Sequence, residues 1–98
     1  LYGRSVSMDK NQPHLLKYSF ADEQTGVQLH HDRCDVTANL TLSRDSDYTG
    51  GGTYYPATGY TLRLSRGEFV LHPGSLIHSG TDITSGTRHL LVFFCHFV

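Results

Sequence analysis

The sequence predicts an all-β domain, a sandwich or a jelly-roll barrel, on three observations. Short apolar-rich runs are separated by turns that contain Gly or Pro, and signals for the start and end of helices are nearly absent. The segment Asp35–Ser43 alternates between polar and apolar residues without a break, as a half-buried strand does. The chain has 98 residues, of which 38% are hydrophobic, and this is enough for one small domain.

The remaining elements follow from the same pattern along the chain. Residues 1–14 are largely polar and are expected to be an extension or a linker, so that the domain covers residues 15–98. Asp22–Gly26 and Arg44–Gly52 are expected to be loops, the second ending in three glycines. The other strand candidates are Leu15–Phe20, Thr53–Tyr55, Tyr60–Ser65, Glu68–Leu71, Leu76–Ser79 and Arg88–Phe97. Seven or eight short strands of this kind fit a sandwich or a jelly-roll barrel.

Composition makes several classes of protein poor candidates. Eight Lys and Arg against nine Asp and Glu leave no basic surplus for nucleic acid. Six Tyr and five Phe at a net charge of −1 are not typical of disorder. No apolar run approaches the roughly 20 residues that span a bilayer. Two cysteines do not indicate a disulfide scaffold and leave the cellular compartment undecided.

The chain has seven histidines, and two of them suggest a metal site. His30 and Asp32 are two residues apart, so on an extended strand they point to the same side. His78 would be the third ligand, in preference to His72, which adjoins a Pro-Gly turn. Two histidines and one carboxylate form the facial triad of non-haem Fe(II) oxygenases, but catalytic zinc uses the same set. A single histidine is also commonly a surface or core residue, so the pattern by itself leaves these readings open.

Arg88 is the second functional candidate. It shares strand parity with Leu90, Val92 and Phe94, which places its guanidinium on an apolar side. If that side is the interior, the buried cation needs a partner, and a ligand carboxylate gripped by two hydrogen bonds would provide it. The alternative is a surface arginine on an edge strand.

In chain order the sequence contains His30-His31-Asp32, residues 47–52 with their glycine triplet, residues 67–74, His78, and Ser85-Gly86-Thr87-Arg88. Taken together, these motifs resemble the 2-oxoglutarate- and Fe(II)-dependent dioxygenases. Within them the chain is most similar to the branch of prolyl 4-hydroxylases and procollagen lysyl hydroxylases. The likeness covers roughly residues 17–97.

The resemblance implies a double-stranded β-helix with the metal at its mouth. It implies that Fe(II) is held by His30, Asp32 and His78, which are the expected catalytic residues. It also implies that 2-oxoglutarate is bound by Arg88, Tyr18 and Asn39. Asn39 differs in parity from the ligands, so a bulge or turn near Arg33 to Cys34 would be needed to bring it inward. Otherwise the polar side of that strand is simply solvated.

The family's reaction hydroxylates an unactivated C–H bond, with O2 consumed and succinate and CO2 released. The resemblance implies a prolyl or lysyl side chain of a peptide or protein as substrate, and L-ascorbate as a supporting reductant. No membrane partner is expected, and a nucleic acid is disfavoured by charge. The alternative is a zinc-dependent or non-catalytic jelly-roll domain. Most of the family's N-terminal helices have no counterpart in the sequence, so a missing segment or a partner is expected over one sheet face.

Overall fold

The computed structural model describes residues 6–8 and 13–98 of the protein. These residues form two antiparallel sheets. The prediction of an all-β, jelly-roll-like fold is confirmed. The six-stranded major sheet contains β1 (Val6–Met8), β2 (His14–Ser19), β4 (Val36–Thr41), β5 (Tyr48–Gly50), β8 (Phe69–Pro73) and β10 (Ile83–Phe97). The four-stranded minor sheet contains β3 (Val27–His30), β6 (Thr53–Tyr55), β7 (Tyr60–Leu62) and β9 (His78–Gly80).

The 15-residue strand β10 organises the major sheet. It pairs with β1, β2, β4 and β5 at successive positions, and β4 in turn pairs with β8. Arg88 lies opposite Tyr18 on β2, and Val92 lies opposite Asn39 on β4. Since paired residues in a sheet point to the same side, this register places these four side chains on one face.

That face is the interior of the molecule. Leu90 and Val92 are buried, and Phe94 packs against them. A central strand with alternating large residues buries every second side chain between the two sheets. The buried members of the core cluster are Tyr18, Tyr48, Ile83, Leu90 and Val92.

The observed strands depart from the predicted ones where pairing partners lie far apart in the sequence. The predicted loop Arg44–Gly52 contains a 3₁₀ helix, Asp45–Asp47, followed by β5. β10 begins at Ile83 rather than Arg88, because Ile83 and Ser85 pair with β5. β9 begins at His78 rather than Leu76, whose amide donates to the Pro73 carbonyl in the preceding turn (3.1 Å).

Within the expected extension, Val6–Met8 pairs with the end of β10, and residues 1–5 and 9–12 lie outside the described residues. In the part of the chain that the structure describes, no helix has the length and apolar character needed to cross a bilayer.

Candidate metal centre

The two candidate histidine ligands lie side by side in the minor sheet. His30 is the last residue of β3 and His78 the first of β9, and the antiparallel register pairs them directly. Their ring centroids are 4.4 Å apart. Two residues that are remote in sequence therefore project their imidazoles into one region.

Asp32 completes the cluster with the two histidines, and it lies in the loop after β3 and not on the strand itself. β3 ends at His30, so the expectation that His30 and Asp32 share one strand face is wrong. The chain turns away because the Asp32 amide donates to the Gly74 carbonyl, 2.8 Å away, across the turn after β8. Its carboxylate still reaches both rings, with Oδ1 3.4 Å from His30 Nε2 and Oδ2 3.6 Å from His78 Nε2. One potential ligand atom from each residue lies within 4.8 Å of the other two.

The main chain fixes the tautomer of both histidines. His30 Nδ1 lies 2.8 Å from the Gln28 carbonyl, and His78 Nδ1 lies 2.9 Å from the Leu76 carbonyl. Because a carbonyl oxygen can only accept, Nδ1 carries the proton in each ring and donates it. Each Nε2 therefore keeps its lone pair, and both face Asp32. This arrangement of outer hydrogen bonds is the one that metal-binding histidines commonly use.

The burial of the cluster also suits a metal. The side chains of Asp32 and His78 are 6% and 8% exposed, whereas that of His30 is 40% exposed. Burial lowers the pKa of His78, and so do the neighbouring His72 and His30, while the Leu76 carbonyl and Asp32 act in the opposite direction. A neutral imidazole is the form that binds a metal. Two imidazoles and a carboxylate fit Fe(II), and they also fit zinc.

His72, the rival third ligand, lies behind His78 and outside the cluster of three. Its ring centroid is 4.6 Å from that of His78 and 5.5 Å from that of Tyr55. His72 Nε2 and the Tyr55 hydroxyl are both buried without a hydrogen-bond partner among the described residues. Burial raises the pKa of Tyr55, and the charge of Asp32 raises it further.

The three candidate ligands line one end of a cavity of about 240 Å³ between the sheets. This is smaller than the pockets that hold drug-sized molecules and suits a small metabolite. Its apolar lining includes Leu16, Leu90, Val92 and Phe94. The cavity also brings together the other three predicted site residues, namely Tyr18, Asn39 and Arg88.

Arg88 is a buried cation in this cavity, 5% exposed, so the edge-strand alternative is wrong. Its guanidinium carbon lies 5.5 Å from the Tyr18 ring centre and 6.0 Å from that of Tyr48. Nη1 donates to the Gly52 carbonyl at 3.4 Å, while Nε has no hydrogen-bond partner among the residues that the structure describes. No described carboxylate forms a salt bridge with it. A buried guanidinium with unused donors is suited to binding an anionic ligand.

Tyr18 and Asn39 complete the polar lining around Arg88. Burial raises the pKa of Tyr18, and the neighbouring Arg88 partly offsets this rise. The Tyr18 phenol therefore stays protonated and able to donate. Asn39 points inward because the loop between β3 and β4 changes the parity of the chain, and the solvated alternative for this side of β4 is wrong.

Sequence reasoning missed one side chain at the cluster. The Thr37 hydroxyl donates to Asp32 Oδ2 at 2.7 Å. The available signal was its place on the polar side of the strand just after the ligand motif. A larger depression, of about 940 Å³, lies on the minor sheet, but its described lining has one carboxylate, Asp82, and no histidine.

Comparison with known proteins identifies relatives over most of the chain. The chain is 40% identical to a mouse procollagen-lysine,2-oxoglutarate 5-dioxygenase 1 over 77 residues, which are 74% of this chain and 11% of the mouse protein. It is 38% identical to the human multifunctional procollagen lysine hydroxylase and glycosyltransferase LH3, over 74% of this chain and 10% of that protein. It is 28% identical to a PKHD-type hydroxylase of Prochlorococcus marinus, over 80% of this chain and 36% of that protein. No protein-family model matches.

The chain spans about a tenth of the length of the lysyl hydroxylases that it matches. The matches nevertheless cover 74–80% of this chain, which folds into the jelly-roll-like core described above. The similarity and the fold together show that the chain belongs to the 2-oxoglutarate- and Fe(II)-dependent dioxygenase superfamily.

Proposed function

We propose that this chain is the catalytic core of a 2-oxoglutarate- and Fe(II)-dependent hydroxylase. One observation carries the proposal: a single small cavity contains the His30–Asp32–His78 cluster and the buried guanidinium of Arg88. When bound, Fe(II) and 2-oxoglutarate supply the chemistry that activates O2 and hydroxylates a C–H bond, with succinate and CO2 as coproducts.

The three ligands would hold the metal in a fixed orientation. The hydrogen bonds from His30 and His78 to main-chain carbonyls keep the Nε2 lone pairs directed at the Asp32 side of the cavity. A facial set of three protein ligands leaves the remaining positions for cosubstrate and O2.

Arg88 and Tyr18 would bind the distal carboxylate of 2-oxoglutarate. The guanidinium supplies charge and paired donors, and the protonated phenol supplies a further donor. Asn39 offers an amide to the same molecule. The apolar wall of Leu90, Val92 and Phe94 excludes water and so strengthens these contacts.

The substrate would be a prolyl or lysyl side chain of a peptide or protein. The names of the relatives support this proposal, since they include procollagen lysine hydroxylases. L-Ascorbate would maintain the metal in its ferrous form.

Succinate release tests the reaction. The chain is incubated with Fe(II), 2-oxoglutarate, ascorbate and O2, with and without a panel of Pro- and Lys-containing peptides. We expect succinate from the wild type and none from His78→Ala. A zinc hydrolase or a non-catalytic module would release no succinate in either case, and that result would reject the proposal.

Replacement of Arg88 tests the cosubstrate site separately. We expect Arg88→Ala to weaken 2-oxoglutarate binding by about 2–5 kcal/mol, because a desolvated charge pair is lost. Titration calorimetry on protein loaded with Mn(II) measures this affinity without turnover. Arg66→Ala, which removes an exposed guanidinium in the turn before β8, serves as the control. Equal affinities for the two variants would exclude Arg88 from the cosubstrate site.

A further inference from the structure

We infer that Thr37 is a positioning residue for the metal centre, holding one oxygen of Asp32 so that the other serves as the ligand. The inference rests on the metal site of the proposed function and adds to it a residue that sets how the carboxylate binds.

The hydrogen bond between the two residues is short and buried. Thr37 Oγ1 lies 2.7 Å from Asp32 Oδ2, Thr37 is 1% exposed and the Asp32 side chain is 6% exposed. A carboxylate can only accept, so the hydroxyl is the donor. Hydrogen bonds to a charged acceptor are stronger than neutral ones, and water does not compete for this one.

Thr37 is well placed to act as a fixed support. It lies within β4 and is paired on both sides, with Phe94 of β10 and His72 of β8. As a β-branched residue it has a restricted χ1 angle. By contrast, Asp32 lies in a loop, where its carboxylate has no strand pairing to orient it.

A second contact holds the Thr37 hydroxyl from another direction. Cys34 Sγ lies 3.2 Å from Thr37 Oγ1 and 3.5 Å from the Val36 carbonyl. The hydroxyl is therefore in contact with both the thiol and the carboxylate, which limits its rotation.

This arrangement makes the two oxygens of Asp32 unequal. Oδ2 accepts the Thr37 hydrogen bond and lies 3.6 Å from His78 Nε2, whereas Oδ1 lies 3.4 Å from His30 Nε2 and accepts no hydrogen bond from the described residues. A carboxylate can bind a metal through one oxygen or through both. Engagement of Oδ2 favours binding through Oδ1 alone, which keeps an additional position on the metal for cosubstrate and O2.

The test compares Thr37→Val, which removes the hydroxyl at nearly constant shape, with Thr37→Ser, which retains it. The probe is Co(II) alone, followed by calorimetry and by its visible absorption spectrum, without 2-oxoglutarate. We expect Thr37→Val to bind Co(II) about 10–100-fold more weakly, the usual effect of losing an outer hydrogen bond to a ligand. We also expect its spectrum to change because the carboxylate can then bind through both oxygens. Thr37→Ser should match the wild type in both measurements.

Thr41→Val is the matched control, since Thr41 is another buried threonine on the same strand and the same side. Circular dichroism of the metal-free proteins reports folding, and Thr37→Ala replaces Thr37→Val if the latter does not fold. The inference is overturned if Thr37→Val binds Co(II) like the wild type, if serine does not restore binding, or if Thr41→Val has the same effect. Uptake of Co(II) by the wild type without succinate release under the assay above would reject only the hydroxylase function.

Discussion

The imidazole of His78 is almost completely buried, and burial lowers its pKa because a charged ring loses its hydration there. The Leu76 carbonyl and Asp32 act against this shift, and His72 and His30 reinforce it. At neutral pH the ring is therefore held in the uncharged form that a metal requires.

The shift predicts how the stability of the metal-free protein depends on pH. Between the ordinary histidine value near 6.5 and the lower folded value, the unfolded chain binds more protons than the folded one. The free energy of unfolding therefore falls as the pH drops below about 6.5. Urea unfolding at a series of pH values measures this slope. We expect His78→Gln to flatten it.

His31→Gln is the control for that series, because His31 is exposed and lies in the loop between β3 and β4 that also contains Asp32. It should leave the slope as it is in the wild type. The same slope in His78→Gln and in the wild type would show that His78 does not link folding to protons.

At the scale of elements, the ligand loop between β3 and β4 is fastened to the turn that follows β8. The Asp32 amide donates to the Gly74 carbonyl (2.8 Å), and the Gly74 amide donates to the Asp35 carbonyl (3.0 Å). The two segments approach so closely that a Cβ on Gly74 would collide with the Cys34 carbonyl. Glycine is therefore required here for close packing of the main chains and not for its dihedral freedom.

We predict that Gly74→Ala displaces the ligand loop and weakens metal binding. Overpacking of this kind costs about 1–3 kcal/mol of stability. Gly59→Ala is the control, because Gly59 has a φ of +72° but nothing within 4 Å of its Cβ position, so it should cost about 1–2 kcal/mol through backbone strain. Chemical unfolding and Co(II) calorimetry together distinguish the two. Both variants should lose stability, and only Gly74→Ala should lose affinity. Unaltered affinity in Gly74→Ala would mean that the loop is positioned by other contacts.

The strand pattern predicted the interior of the sheet better than it predicted the ligand loop. Alternation along β10 could place Arg88 on one side with Leu90 and Val92, because parity is a local property of the sequence, but the pattern left open whether that side is the interior. The departure of Asp32 from β3 depends on a bond to Gly74, far along the chain, which no local pattern contains. The contact of Thr37 with Asp32 is local in sequence, but it depends on the path of this loop, so the polar side of β4 was its only signal.

At the scale of the whole molecule, the outer side of the major sheet is largely apolar. The register aligns Leu15, Leu91, Leu40 and Phe69 in one row across four strands, and Phe93, Ala38 and Leu71 in the next. Leu15 is 61% and Phe69 62% exposed. Soluble monomers rarely expose a continuous apolar patch of more than a few hundred Å². A further segment or a partner over this face would remove the patch from water, and this expectation stays a prediction.

We predict that the isolated 98-residue chain self-associates through this face. The double variant Leu15→Lys/Phe69→Lys should be monomeric, because the two charges at the ends of one row would have to lose their hydration on association. Sedimentation velocity over a range of concentrations measures the change. Tyr60→Lys, on the minor sheet and 76% exposed in the wild type, should associate as the wild type does.

The outer rows and the metal cavity are on opposite sides of the same strands. Leu91 and Phe93 point outward between Leu90, Val92 and Phe94, which line the cavity. The double variant should therefore bind Co(II) with the affinity of the wild type while losing self-association. A loss of metal affinity together with a loss of association would show that the centre depends on a second copy of the chain, whereas association by the double variant would exclude this face as the contact.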